Sequence, residues 1–339
     1  MSANAAHQYI DRRTRQVTTE TLIADPLIRN LYTRARESAP LLFKAATSRR
    51  MSAVLGYLNF DAPLKQPAGR TAARLQAMGV DPSECLDPPR ALDTPRKIFE
   101  RKIRYWDCRP MPVDAGCAVS PADARVIVGS FDRCSTLFLK EKFFSFNELI
   151  GKDKAQWARA FAGGDFALFR LTPDKYHYNH VPVSGVVRDI YEIAGRYHSC
   201  NPGAVVAEVT PFSKNRRVVT IIDTEIPGGS GVGLVAMIEI VAMMIGDIVQ
   251  CYSTRAYDSP QPVAPGLFLE RGCPKSLYRP GSSVDVVIFQ KNRVTFSADI
   301  LDNMARQDVT SRYIQHFQLP LVETDVTVRS EIALRREPF

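Results

Sequence analysis

Short runs of β-branched and aromatic residues, separated by turn residues, dominate the chain from about residue 99 onward, and their spacing constrains the fold most. They fall at residues 124–128, 165–171, 204–209, 218–224, 234–240, 247–252, 284–290 and 294–296. Strands at this spacing predict a mainly antiparallel, β-rich domain, with residues 147–161 as the helix expected within it. No internal repeat is visible. The cluster Gly228-Gly229-Ser230-Gly231-Val232-Gly233 lacks the Gly-Lys-Ser/Thr of a phosphate-binding loop, and no helix pattern follows it. It reads as a hairpin connection.

The first third differs in character. Residues 1–60 look helical: Asp25-Pro26 is a helix-start signal, and Leu27, Ile28, Leu31 and Tyr32 follow at helical spacing. A second helix is expected at 41–58, with Leu42, Phe43, Ala46, Val54, Leu55 and Leu58 apolar and Lys44, Arg49 and Arg50 basic. Prolines 63, 67, 82, 88, 89 and 95 mark 62–95 as a loop-rich connection with one helical piece near 70–78. The expected class is therefore α+β: an N-terminal basic helical region and Pro-rich linker over 1–98, then a β-rich, mainly antiparallel catalytic domain over 99–339.

Charge follows the same division. Residues 1–110 carry 19 Lys/Arg against 11 Asp/Glu, which accounts for the whole net charge of +8, while the rest hold 25 of each sign. A basic segment on a neutral domain suggests an anionic partner, a lipid surface or nucleic acid. Nucleic acid is not expected, because the basic residues lack interleaved aromatics or a known module. The seven cysteines (85, 108, 117, 134, 200, 251, 273) are odd in number and without a Cys-x-x-Cys pair. That argues against a disulfide framework or structural zinc and for a reducing compartment. No signal pattern opens the chain, so export is not expected. The longest apolar stretch, 232–249, contains Glu239 and Asp247, which makes a membrane span costly. It reads as buried strands with a turn.

Three segments carry candidate chemistry. Gly281-Ser282-Ser283 leads straight into a β-branched run, which places a hydroxyl at the mouth of a strand beside an unhindered glycine carbonyl. Such a pair alone is usually a turn. His177 and His180, two of only five histidines, stand three apart after the apolar run 166–171. They are turn-located polar residues, half a metal site, or bases; no third ligand cluster supports the metal, and none is expected. Asp123 follows Ser120-Pro121-Ala122 and by itself reads as a turn or cap aspartate.

Taken together, these segments resemble the phosphatidylserine decarboxylase family over about residues 99–290. Phe99-Glu-Arg-Lys-Ile-Arg104 with Arg109-Pro110 is similar to the family's opening segment, and Ser120-Pro-Ala-Asp123 to its next motif. Residues 143–151 look like its Phe-Ser-x-x-Glu-Leu-x-Gly, and 171–182 follow Leu-x-Pro-x-x-Tyr-His-x-x-His-x-Pro. Pro202-Gly203 and Asn215-x-Arg217-Val-Val match later landmarks.

The resemblance implies a chain that cuts itself between Gly281 and Ser282, giving chains 1–281 and 282–339. His180, oriented by Asp123, is the base; Ser282 is the nucleophile and becomes a covalent pyruvoyl cofactor. That group acts as an electron sink when carbon dioxide leaves an amine-bearing substrate. His177 is assigned to decarboxylation and protonation. The expected reaction converts phosphatidylserine to phosphatidylethanolamine; the alternatives are decarboxylation of a free amino acid, aromatic ones included, or a non-processing scaffold. A cytoplasmic, peripherally membrane-bound protein, able to form a homodimer, is expected. Departures from the family pattern are Ala124 after the aspartate, Tyr178-Asn179 between the histidines, Gly272-Cys-Pro-Lys-Ser-Leu-Tyr278 upstream of the cut, Pro280 before it and Ser283 after it.

Overall fold

A computed structural model describes residues 6–22, 25–35, 38–62, 67–132, 145–208, 210–243, 247–281, 283–317 and 319–337. Ser282, Cys134 and the start of the expected 143–151 motif lie outside the described residues. The described strands are β1 (Gln8–Asp11), β2 (Val17–Thr19), β3 (Cys117–Val119), β4 (Ala124–Ser130), β5 (Asp165–Leu171), β6 (Tyr178–His180), β7 (Gly185–Ile193) and β8 (Arg217–Asp223). They continue as β9 (Leu234–Val241), β10 (Ile248–Gln250), β11 (Phe268–Leu269), β12 (Pro274–Tyr278), β13 (Ser283–Phe289), β14 (Val294–Phe296), β15 (Glu323–Val326) and β16 (Glu331–Arg335). Ten form one sheet in the order β11-β7-β8-β9-β13-β5-β4-β15-β1-β2. Its pairs are antiparallel apart from β1 with β15. The α+β, β-rich class is thereby borne out.

β13 sits between β9 and β5, and all seven of its residues are buried. Alternation assigns its side chains to two cores. Val287 and Phe289 join one with Leu171, Val181 and Tyr278; Val284, Val286 and Ile288 join the other with Phe166 and Ile240. Each such side chain contributes about 1.5–3 kcal/mol when fully buried. Two three-stranded sheets, β10-β12-β6 and β14-β16-β3, add the strands that carry the motifs.

Several expected elements change. Residues 204–209 were expected as a strand, but a helix, Pro202–Ala207, stands there: the Asn201 side chain caps the Gly203 N–H at 2.8 Å and Pro202 occupies its start. The expected helix 147–161 splits into Phe146–Ile150 and Ala155–Ala160, broken at Gly151 with φ 114°. The helix expected at 41–58 breaks at Thr47-Ser48, where Ser48 caps a second helix, Arg49–Gly56. β7 escaped notice because Arg188, Asp189 and Glu192 interrupt its apolar residues. The helix near 70–78 is present as Ala68–Ala77, and the glycine cluster does join β8 to β9.

The N-terminus is also not wholly helical, since β1 and β2 extend the large sheet. A buried ionic network holds them there. Arg170 donates to Glu20 at 2.7 Å and to Glu323 at 2.6 Å, and His7 Nε2 lies 2.7 Å from Glu323. His7, Glu20 and Glu323 have the spacing of a metal cluster, but the Arg170 guanidinium already engages both carboxylates.

Candidate active site

Backbone pairing brings the three motifs together. β6, which carries His180, pairs antiparallel with β12: Pro274 lies opposite His180, Ser276 opposite Asn179, and Leu277 opposite Tyr178. The Tyr278 N–H then donates to the His177 carbonyl at 3.1 Å, three residues before Gly281. The His180 N–H donates to the Pro121 carbonyl at 2.7 Å, which seats the Ser120–Asp123 segment against the same strand. Beyond the cut, Ser283 opens β13 between Leu171 and Val241. Gly281 has φ 149°, a backbone region that favours glycine, so a glycine before the cut has a steric reason.

His180 is fully buried. Its Nδ1 lies 2.8 Å from the Gly272 carbonyl, which can only accept, so Nδ1 carries the proton and Nε2 the basic lone pair. Nε2 holds the Tyr176 hydroxyl at 2.9 Å, and that hydroxyl also contacts the Tyr257 hydroxyl at 2.7 Å. Burial, with Arg329 and Arg109 adding to it, pushes the imidazole down to about 3 against the opposing pull of Gly272 and Asp123. It is therefore a neutral base at physiological pH.

Asp123 is placed differently from expectation. Its carboxylate accepts from Arg109 Nε at 3.0 Å, from an Arg109 terminal nitrogen at 2.8 Å, and from the Val328 N–H at 2.8 Å. Burial alone would raise its pKa, but Arg109 outweighs burial and keeps it ionised. The contact that orients the His180 ring comes from the Gly272 carbonyl, not from Asp123; Asp123 acts on it through charge and through Pro121.

His177 is fully buried and stacked on Phe99, with ring centroids 3.6 Å apart and planes 10° apart. Neither ring nitrogen has a hydrogen-bond partner among the described residues. Burial and then Arg101 depress its pKa well below the ordinary histidine value, opposed by the Pro173 and Thr172 carbonyls. The Ser283 hydroxyl is likewise buried without a partner.

Sequence reasoning missed Tyr176, Tyr257 and Arg109 as site residues. Arg109 and Tyr176 stood inside quoted motifs, and a buried base needs such partners; Tyr257 carried no local signal. A cavity of about 660 Å³ opens beside the site, lined by Ile28, Phe60, Met78, Phe99, Leu171 and Thr172 among others.

Comparison with known proteins gives the chain its family. The phosphatidylserine decarboxylase family model matches residues 96–308. The chain is 32% identical over 230 residues to a phosphatidylserine decarboxylase proenzyme of Bordetella petrii, covering 65% of this chain and 77% of the relative. It is 26% identical over 310 residues to that of Fusobacterium nucleatum, covering 91% and 95%, and 27% identical over 295 residues to that of Ruminiclostridium cellulolyticum, covering 87% and 91%. The relatives share one chemistry, that of a carboxy-lyase. This chain belongs to the phosphatidylserine decarboxylase family.

Proposed function

We propose that this chain is a self-processing carboxy-lyase that converts phosphatidylserine to phosphatidylethanolamine and carbon dioxide, after breaking its own Gly281–Ser282 bond. The observation that carries this reading is the pairing of β6 with β12, which lays His177 and His180 along the segment that ends at Gly281.

In the proposed self-cleavage, the Ser282 oxygen attacks the Gly281 carbonyl carbon and its proton goes to His180 Nε2. The Tyr176 hydroxyl now on Nε2 is displaced or passes the proton on. The C–N bond breaks, leaving an ester and a free Ser282 amine. Removal of the Ser282 α-proton expels the Gly281 carboxylate and leaves dehydroalanine; water hydrolyses it, with release of ammonia, to a pyruvoyl group. The surroundings fit such a group, since the Ser283 hydroxyl, one residue past the cut, is buried without a hydrogen-bond partner among the described residues. The pyruvoyl carbonyl supplies the electron sink for loss of carbon dioxide from a substrate amine. His177, held face to face against Phe99, hands a proton to the carbon that carbon dioxide leaves. Asp123, fixed by Arg109, stabilises the imidazolium that forms on His180.

The helices over 40–61, rather than the β1 and β2 strands that join the large sheet, serve in this reading as a basic membrane arm for the catalytic domain. Among the described residues no helix is long and apolar enough to cross a membrane. The helices over 40–61 instead expose Leu41, Leu42, Met51, Val54, Tyr57 and Leu58 beside Lys44, Arg49 and Arg50, a composition suited to an anionic lipid surface. The test offers purified protein phosphatidylserine vesicles and, separately, free amino acids. Carbon dioxide is expected from the vesicles; release from free amino acids alone would replace the lipid as substrate.

A further inference from the structure

Between the large sheet and the β10-β12-β6 sheet lies a buried layer of polar side chains that the proposed chemistry does not use. Lys275 Nζ donates to Glu239 at 2.7 Å and to Gln250 at 2.8 Å, and the Ser276 hydroxyl donates to the other Glu239 oxygen. Every one of these groups except Gln250 is fully buried. Burying ionised groups is costly even when they are paired, so an apolar layer would serve stability as well or better. The layer therefore asks for another role.

Its end nearest the cut supplies one. The Tyr278 hydroxyl reaches the Asp285 carboxyl at 2.7 Å and the Val284 carbonyl at 3.1 Å, and accepts the Ile240 N–H at 3.0 Å. Tyr278 lies three residues before the Gly281–Ser282 bond and Asp285 three residues after it. β12 and β13 belong to different sheets, so the four residues between them must cross from one sheet to the other. Asp285 lies opposite Glu239 in register, and its second oxygen is buried without a partner. Burial, then the nearby Glu239 charge, hold its carboxyl well above the ordinary carboxylate range.

Resting on the self-cleavage reading above, we propose that Tyr278 and Asp285 form a clasp across the Gly281–Ser282 bond. Before the break it fixes the crossing in which the Ser282 hydroxyl approaches the Gly281 carbonyl. Afterwards it ties the end of chain 1–281 to the start of chain 282–339, and so keeps the new terminus under His177. Both are positioning residues; neither touches the reacting atoms.

The experiment follows cleavage of freshly made full-length chain on denaturing gels, with wild type, Tyr278→Phe, Asp285→Leu and Asp285→Asn side by side. Thermal unfolding establishes that each variant is folded at the assay temperature. Tyr278→Phe and Asp285→Leu are expected to cleave about tenfold more slowly. Asp285→Asn keeps a hydrogen-bonding group opposite the Tyr278 hydroxyl, and is expected to cleave within about twofold of wild type. A merely structural role would follow the loss of thermal stability instead and would show no rescue by asparagine. Folded Tyr278→Phe cleaving at the wild-type rate, or Asp285→Asn as slow as Asp285→Leu, would overturn the clasp. A wild type that never cleaves would instead remove the self-cleavage reading beneath it.

Discussion

In β13 all seven residues are buried, whereas along the helices of residues 40–61 five large apolar side chains stand more than half exposed: Leu41, Leu42, Val54, Tyr57 and Leu58. The same residue types do opposite work in these two regions. In the core, apolar burial fixes the large sheet, against which β6 and β12 hold His180 and the segment that ends at Gly281. In the arm the apolar surface is left over after folding, so it is available to a partner. In the proposed reading, chemistry is built on the most constrained part of the chain and attachment on the least constrained.

The comparison breaks most sharply at the histidines. His180→Ala removes the base on the rigid side, and self-cleavage should slow by at least about 100-fold, read as fragment appearance over time. A folded variant cleaving normally would detach His180 from the reaction. His177→Asn should separate the two stages: cleavage close to normal, but carbon dioxide release from vesicles lower by about 100-fold. Equal loss in both stages would make His177 part of the cleavage machinery too.

On the arm, Leu41→Glu, Leu42→Glu and Leu58→Glu combined should leave thermal unfolding unchanged, because these side chains are already exposed. Binding to anionic vesicles, measured by flotation, should fall by about 100-fold and weaken further as salt rises. Unchanged, salt-insensitive binding would remove the arm from membrane attachment.

The smallest effect concerns pH. The His180 pKa lies near 3 in the folded chain and about 6.5 when unfolded, so the unfolded state binds more protons between those values. Its contribution is fully present above about pH 6.5 and is lost as pH falls toward 3, amounting to about 2 kcal/mol by pH 5. His177 acts in the same direction. Urea midpoints at the two pH values should shift accordingly, and His180→Gln should shrink the shift; an unchanged shift would place the lost stability elsewhere.

The legibility of the sequence divides along similar lines. β5 and β14 were readable to the residue: β5 is an apolar run buried on both faces, and β14 is a short β-branched and aromatic run between polar neighbours. β7 was not, since its charged residues hide the period, and β1 and β2 were not, because they are short and held by ion pairs from distant positions. Asn201 and Pro202 overrode the strand propensity of Val205 and Val206. His177, His180 and Asp123 were legible as a family pattern. The partners that set their states were not: Gly272 reaches His180 from the distant turn before β12, and Tyr176 and Arg109, though inside the quoted motifs, carried no sign of what they would touch.

The central claim is that the chain breaks between Gly281 and Ser282. Intact mass spectrometry of freshly purified, fully matured protein tests it most directly. The account predicts two species, residues 1–281 and 282–339, the second lighter by one ammonia than its serine-ended form, with Ser282→Ala remaining whole. A single 37.9 kDa chain with an unmodified Ser282 would contradict it.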